Sequence, residues 1–237
     1  MTQQTTGLVL HTTLYGETSV IARIFTRQLG VRSYIVKGVR TPKGRTKQNL
    51  LQPLSYLDMV VYTKPRDINF IKEMRPAQQW RTLDTQPEKT AIRFFASEAL
   101  YKSLRADDPT PELFDYVVHS MEQLDNEQQA VASYPLTFLI GLSRQLGIEP
   151  LDNYSTSTPY FNLSEGCFQS APAAASQLSA YQSQLLHAYL DNSEGQDVRA
   201  PREQRLELLA SLISYYQIHL SDFKNFKSHE VLHNVLD

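Results

Sequence analysis

The sequence predicts a two-domain α+β protein, with a small β-barrel followed by an all-α helical domain. Residues 7–75 contain short runs rich in β-branched residues, whereas beyond residue 87 the apolar residues recur every three or four positions. The charge changes near the same place. Residues 1–80 carry 12 Lys/Arg and 4 Asp/Glu, and the remaining 157 carry 11 and 21. The chain is therefore expected to divide into domains 1–80 and 81–237.

Five strands are predicted in the first domain, at 7–14, 18–25, 31–36, 54–62 and 68–74. Gly16 and Gly30 lie in turns between them, where glycine adopts backbone angles that other residues avoid. Short turns joining five strands favour a closed barrel over an open sheet, because closure removes the exposed edges of a small sheet.

The second domain is predicted to be helical. Its expected helices are 91–101, 113–124, 136–146, 173–190, 201–220 and 228–236. Proline lies near the first turn of two of these patterns, at Pro87 and Pro111, where its missing N–H costs nothing. Gly147 is a suitable residue to end the third helix. Residues 150–172 hold three prolines and are expected to be an irregular insert with a short hairpin near 160–168.

The strongest functional signal is a cationic segment, residues 37–47, with five cations, two glycines and no acid. Its cations are Lys37, Arg40, Lys43, Arg45 and Lys47. A cationic loop in a small barrel is typical of a polyanion-binding module, so these side chains are expected to neutralise nucleic-acid phosphates. A solvated surface loop is the alternative interpretation.

Tyrosines of the barrel are candidates for base stacking, which is how small barrels bind single strands. Tyr34, Tyr56 and Tyr62 are each as compatible with the core as with a stacking role. Tyr34 is included among the predicted DNA-binding residues. Arg23, Arg32, Arg66 and Lys72 add positive charge to the same region.

An enzymatic function is not expected. The sequence lacks the nucleophile-elbow, phosphate-loop and dinucleotide motifs. Cys167 has no basic neighbour in sequence that would lower its pKa. His229 and His233 have helical metal-binding spacing but lack the acid of the zinc-protease motif. The composition, the absence of a leader-like start and the absence of a long apolar run indicate a cytoplasmic protein with no membrane association.

Several short motifs follow one another along nearly the whole chain. They include Gly7-Leu8-Val9-Leu10, Tyr15-Gly16-Glu17-Thr18-Ser19, Ile24-Phe25-Thr26, Leu29-Gly30, Lys37-Gly38-Val39-Arg40 and Leu146-Gly147-Ile148-Glu149-Pro150. Their order resembles the RecO family of bacterial recombination mediators. The resemblance implies an OB-fold barrel that binds single- and double-stranded DNA. It also implies annealing of complementary strands and loading of RecA onto DNA coated with single-stranded DNA-binding protein, in association with the nucleoid during repair.

The resemblance further implies two protein partners, RecR and the C-terminal tail of single-stranded DNA-binding protein. That tail is acidic with an apolar end, so cations of the helical half are candidate contacts. These are Arg93, Lys102, Arg105, Arg199, Arg202 and Arg205, with salt bridges to Glu203 and Glu207 as the alternative role of the last three. Many RecO-like proteins also hold zinc with four cysteines. Only Cys167 is present here, so no metal or other cofactor is expected and residues 159–168 must keep their shape by packing.

A second function remains open at this point. An RNA-binding or ribosome-associated OB-fold protein with a helical dimerisation domain has the same composition and element order. Preference for single-stranded DNA over structured RNA in a competition assay distinguishes the two.

Overall fold

The computed structural model describes residues 2–41, 48–62, 68–105, 109–128, 131–171, 177–192 and 198–236. It contains two compact units, Met1–Asn126 and Glu127–Asp237. The predicted fold class is confirmed, because a closed five-stranded barrel precedes a helical region.

The barrel consists of β1 (Thr2–Tyr15), β2 (Ser19–Thr26), β3 (Gly30–Val36), β4 (Tyr56–Tyr62) and β5 (Ile68–Pro76). The strands close in the order β1-β2-β3-β5-β4, with β3 and β5 parallel and the other pairs antiparallel. Paired residues traced around the barrel run from Thr2 through Tyr62, Phe70, Ile35 and Ile21 to Thr13. The strands are therefore strongly staggered, as closure of a small barrel requires.

The first strand begins earlier than the sequence predicts. Residues 2–6 contain no apolar residue and therefore show no alternation of apolar and polar positions. Only residues 7–14 were predicted to form a strand. In the structure Thr2–Leu8 pair with β4, while Gly7–Tyr15 pair with β2. The long strand β1 therefore pairs with two neighbouring strands. Pairing with β4 holds the polar residues 2–6 in a strand, although they have little strand preference of their own.

Two helices complete the first unit, α1 (Pro87–Ser103) and α2 (Pro111–Asn126). The Ser97 hydroxyl of α1 donates to the main-chain oxygen of Leu10, 2.8 Å away, in a buried contact with β1. On α2, the Phe114 ring lies edge-on to Phe25 with centroids 5.3 Å apart. These long-range contacts join α1 and α2 to the barrel in one compact unit.

The second unit contains four helices and a hairpin within its described residues. The helices are α3 (Tyr134–Gln145), α4 (Ala180–Leu190), α5 (Arg202–His219) and α6 (Ser228–Val235), and the hairpin pairs β6 (Tyr160–Asn162) with β7 (Cys167–Gln169). Gly147 has φ of +70°, which confirms its predicted role after the third helix.

The fourth helix of the second half starts later than its predicted first residue, 173. Residues 172–176 lie outside the described part of the chain, and α4 itself begins at Ala180. Ser179 precedes it and accepts from the Gln182 N–H, which marks a helix start. Among the described residues, no helix is long and apolar enough to span a bilayer.

Candidate nucleic-acid interface

The start of the cationic segment is anchored to the barrel. Val39 is buried in the barrel core, and Gly38 has φ of +70° in the turn that places it there. The Arg40 N–H donates to the main-chain oxygen of Thr18 at 3.2 Å, in the turn between β1 and β2. Lys37 and Arg40 are both exposed, on either side of the buried valine. Burial of Val39 therefore holds two of the predicted phosphate-binding cations at the surface.

The other three predicted cations, Lys43, Arg45 and Lys47, lie outside the described residues. Their assignment to phosphate binding stays a prediction from the sequence. Arg66 also lies outside the described residues.

Tyr34 does not have the position that its predicted stacking role requires. It is 1% exposed and belongs to the barrel core, together with Ile24 and Met59. Burial raises the pKa of its phenol to about 12, against a smaller opposite effect of Arg32. From the sequence, Tyr34 was as compatible with the core as with a stacking role, because the alternation of a strand does not say which face is the inner one. A large ring instead fills the interior, so its face is unavailable to a base.

A groove of about 1090 Å³ is lined by residues of β3, β4 and β5, and its lining includes the core residues Val36 and Met59. Its lining includes Ile35, Lys37, Tyr62 and Phe70. The Lys37 ammonium lies over the Phe70 ring, 5.7 Å from the centroid. Tyr62 is 41% exposed, whereas Tyr56 packs against α2 with its ring 5.9 Å from that of Phe114. The groove thus combines apolar and aromatic surface with a cation at its rim.

Charged side chains at the other end of the groove are paired with each other. Arg75 donates to an Asp58 carboxylate oxygen at 2.7 Å, and this hydrogen bond lowers the pKa of Asp58 below its ordinary value. The Lys72 ammonium lies 3.5 Å from the Glu73 carboxylate. Each of these two acids thus has a cation beside it, so neither leaves an uncompensated negative charge in the groove.

Some of the basic residues among positions 1–80 have partners within the first unit. Arg23 donates to the main-chain oxygen of Leu104 at 2.7 Å and lies over the Tyr101 ring. Arg27 binds both oxygens of the Asp115 carboxylate, at 2.8 and 2.9 Å. Arg23 and Arg27 therefore contribute to the net positive charge of residues 1–80, but their guanidinium groups are engaged in contacts within the protein.

Comparison with known proteins places both halves in one family. Residues 1–80 match the family model for the N-terminal part of recombination protein O, and residues 85–229 match the model for its C-terminal part. The chain is 33% identical over 236 residues to the DNA repair protein RecO of Phocaeicola vulgatus, with 98% of each chain covered. It is 32% identical over 252 residues to that of Bacteroides fragilis, with full coverage of both. This chain belongs to the recombination protein O family.

The insert that carries cysteines in many RecO-like proteins has a different construction here. Asn153 accepts from the Phe168 N–H at 2.8 Å and donates to the Phe168 carbonyl at 3.0 Å, which ties the two segments together. The Phe168 ring lies edge-on to Phe161 and to Tyr154, at 5.0 and 5.3 Å. Among the described residues no group of three or more His, Cys, Asp or Glu could hold a metal. With Cys167 as its one thiol, this RecO-family chain does not fit the four-cysteine zinc site.

The cations of the helical half differ in what they contact. Arg93 is buried and paired with Asp84. Arg202 donates to the main-chain oxygens of His233 and Leu236 at the end of α6, and Arg205 donates to that of Ala200. The sequence analysis considered Glu203 and Glu207 as partners of Arg202 and Arg205 and did not predict these main-chain oxygens. Arg199 and Arg105 are both exposed.

Phe70 is the groove residue that sequence reasoning missed. A signal was present, because Phe70 and Lys72 alternate along the fifth predicted strand and therefore share a face. The sequence does not reveal that this face is the outer one, since a short strand with apolar residues at adjacent positions allows either orientation.

Proposed function

We propose that this protein acts in recombinational DNA repair as a non-enzymatic mediator. It binds single- and double-stranded DNA through the barrel, anneals complementary strands, and helps to load RecA onto DNA coated with single-stranded DNA-binding protein. Family membership carries the proposal, because relatives that align over the whole chain are named DNA repair proteins.

The electrostatics of the barrel support DNA as the ligand. Phosphate neutralisation by Lys and Arg supplies most sequence-independent affinity for DNA. Lys37 and Arg40 stand at the surface at the start of a segment with five cations and no acid. The cationic segment 37–47 is therefore the proposed phosphate contact, with Lys43, Arg45 and Lys47 continuing it.

The helical half is proposed to bind proteins rather than DNA. Residues 81–237 carry 21 Asp/Glu against 11 Lys/Arg, and this excess of acids repels a nucleic acid. RecR and the acidic tail of single-stranded DNA-binding protein are the proposed partners. Because Arg202 and Arg205 donate to main-chain oxygens, the exposed Arg199 is the best-placed cation of that cluster for a tail carboxylate.

An annealing assay tests the proposal. Complementary strands are coated with single-stranded DNA-binding protein, and duplex formation is followed with and without the protein. We expect the wild-type chain to accelerate annealing, and Lys37→Ala with Arg40→Ala to slow it. The matched control replaces two exposed cations of the acidic half that lie outside the proposed tail contact, Lys224→Ala with Lys227→Ala, and is expected to leave annealing unchanged.

Two results contradict the proposal. The first is a wild-type protein that gives no acceleration at any ratio of protein to DNA. The second is a preference for structured RNA over single-stranded DNA in direct competition, which supports the RNA-binding alternative instead.

A further inference from the structure

The outer face of the barrel carries a row of apolar side chains across three strands. Phe70 of β5 pairs with Ile35 of β3 on one side and with Tyr62 of β4 on the other. Residues directly opposite each other in neighbouring strands project on the same face, with Cβ atoms about 5 Å apart. All three residues line the groove. The row therefore crosses the strands, with an aromatic ring in each of two adjacent positions.

This row is more exposed than the core residues of the same strands. Tyr62 is exposed, and Phe70 and Ile35 are only half-buried, whereas the inward residues of the same strands are in the core. The rings of Tyr62 and Phe70 are therefore not part of the barrel core. An exposed apolar groove with a polar rim is a common mark of a binding site.

Charge at the groove indicates which ligand fits. Lys37 lies over the Phe70 ring and opens the cationic segment, so one residue links the aromatic row to the run of five cations. Single-strand-binding grooves combine these two elements, because cations follow the backbone while aromatic faces stack on the bases. A peptide with an acidic end also suits a cation beside an apolar groove, but two adjacent aromatic rings match the flat faces of successive bases more closely.

We propose that this groove is a base-stacking subsite for single-stranded DNA, with Phe70 and Tyr62 as the stacking rings and Lys37 on the adjoining phosphate. The inference rests on the proposed DNA-binding function and adds a separate contribution to it. Bases, and not only phosphates, contribute to affinity at this subsite. Duplex DNA, whose bases are already stacked, gains nothing from it.

The test compares two ligands of equal length, an ordinary single strand and an abasic strand that keeps the phosphates. Phe70→Leu and Tyr62→Leu keep an apolar side chain but remove the aromatic face. Phe94→Leu is the matched control, since Phe94 is an exposed phenylalanine of the same unit on α1, outside the groove. Binding is measured with the full chain across a series of salt concentrations.

We expect each groove variant to bind the ordinary strand roughly tenfold more weakly, the scale on which alanine replacement of stacking residues acts. Binding to the abasic strand and the salt dependence should not change, because no cation is removed. Equal affinity of Phe70→Leu and Phe94→Leu for the ordinary strand overturns the inference. If the groove variants have no effect but Lys37→Ala with Arg40→Ala weakens binding of the abasic strand, the stacking subsite is refuted and DNA binding by the barrel is still supported. If the wild-type protein binds neither strand, the stacking subsite and the proposed function are both refuted.

A crosslinking experiment on the wild-type chain avoids any effect of substitution on folding. A single strand containing 5-bromouracil is bound and irradiated, and the crosslinked peptides are identified by mass spectrometry. Crosslinks at Tyr62 or Phe70 support the subsite. Crosslinks found only outside the groove overturn it.

Discussion

Asp125→Ala tests how the first unit is held together. Asp125 ends α2, and its carboxylate accepts the main-chain N–H groups of Arg81, Thr82 and Leu83 at 2.9, 2.7 and 3.0 Å. It thereby fixes the chain that leaves the barrel. The buried Lys89 ammonium contacts the Thr82 hydroxyl in the same cluster, at 2.9 Å. Removal of the carboxylate leaves three donors without their acceptor.

The size of the effect follows from the burial of those donors. Leaving a buried donor unsatisfied costs about 1–3 kcal/mol, and a typical hydrogen bond contributes about 1 kcal/mol. The bond from Leu83 is buried, whereas those from Arg81 and Thr82 are partly buried and their donors can rehydrate. We therefore expect Asp125→Ala to lower the free energy of unfolding of this unit by about 3–5 kcal/mol.

Trp80 provides the assay, because it is the single tryptophan of the chain. It is 6% exposed, and its indole N–H donates to the main-chain oxygen of Leu54 at 3.0 Å. Its fluorescence therefore reports unfolding of the first unit during urea titration. With a slope of about 2 kcal/mol per molar urea, the midpoint should fall by about 1.5–2.5 M.

Asp115→Ala is the matched control on the same helix. Its carboxylate forms an exposed ion pair with Arg27, and such pairs contribute about 1 kcal/mol or less. Equal midpoints for the two variants would refute the reasoning.

The effect of Asp125 should also depend on pH. Burial alone raises its pKa, but the hydrogen bonds from Arg81, Thr82 and Leu83 outweigh burial and leave the pKa below the ordinary value of 3.8. A carboxyl group whose pKa is lower in the folded state contributes its stability above the unfolded pKa and loses it as pH falls through the folded pKa. The difference between wild type and Asp125→Ala should therefore be constant near neutral pH and shrink below about pH 4.

Four further predictions follow from the site and the fold. Replacing Lys43, Arg45 and Lys47 with Ala should reduce the slope of log binding constant against log salt concentration by about 2–3, equally for all DNA sequences. An unchanged slope would support the alternative that the segment is a solvated loop. Excess EDTA should leave the melting temperature unchanged, and elemental analysis should find no stoichiometric zinc; one tightly bound zinc per chain contradicts this. Gly166→Ala should destabilise the second unit by more than Gly16→Ala destabilises the first, since both have positive φ but only the Gly166 Cβ would meet a side chain, 3.0 Å from the Tyr215 hydroxyl. Arg199→Glu should weaken binding of a fluorescent tail peptide of single-stranded DNA-binding protein, with no change expected for naked DNA.

The elements of the fold were predictable where one periodicity dominates. Alternating β-branched residues identified the barrel strands, and helical spacing identified α2, α3 and α5. Contacts distant in sequence decided the rest. Pairing with β4 extends β1 through residues 2–6, and the carboxylate of Asp125 joins the end of α2 to residues 81–83, which lie more than 40 positions earlier.

The candidate site was only partly predictable, because charge can be read from a sequence but orientation cannot. Lys37 and Arg40 were found by composition, and the structure places both at the surface. Tyr34 was kept as a stacking candidate although it lies in the core, and Phe70 was overlooked, because the alternation of a strand defines two faces without saying which one faces the core. In a small barrel an aromatic ring can fill the interior or cover the outside.

Net charge alone overstates the surface available to DNA on the barrel half. Residues 1–80 carry a net charge of +8, yet many of their cations are engaged within the protein. Arg27 and Arg75 bind carboxylates, Lys72 lies near Glu73, and Arg23 binds a main-chain oxygen. The cationic segment 37–47 has five cations and no acid in its own sequence. The proposed DNA contact therefore lies where the cationic segment adjoins the aromatic groove, at Lys37.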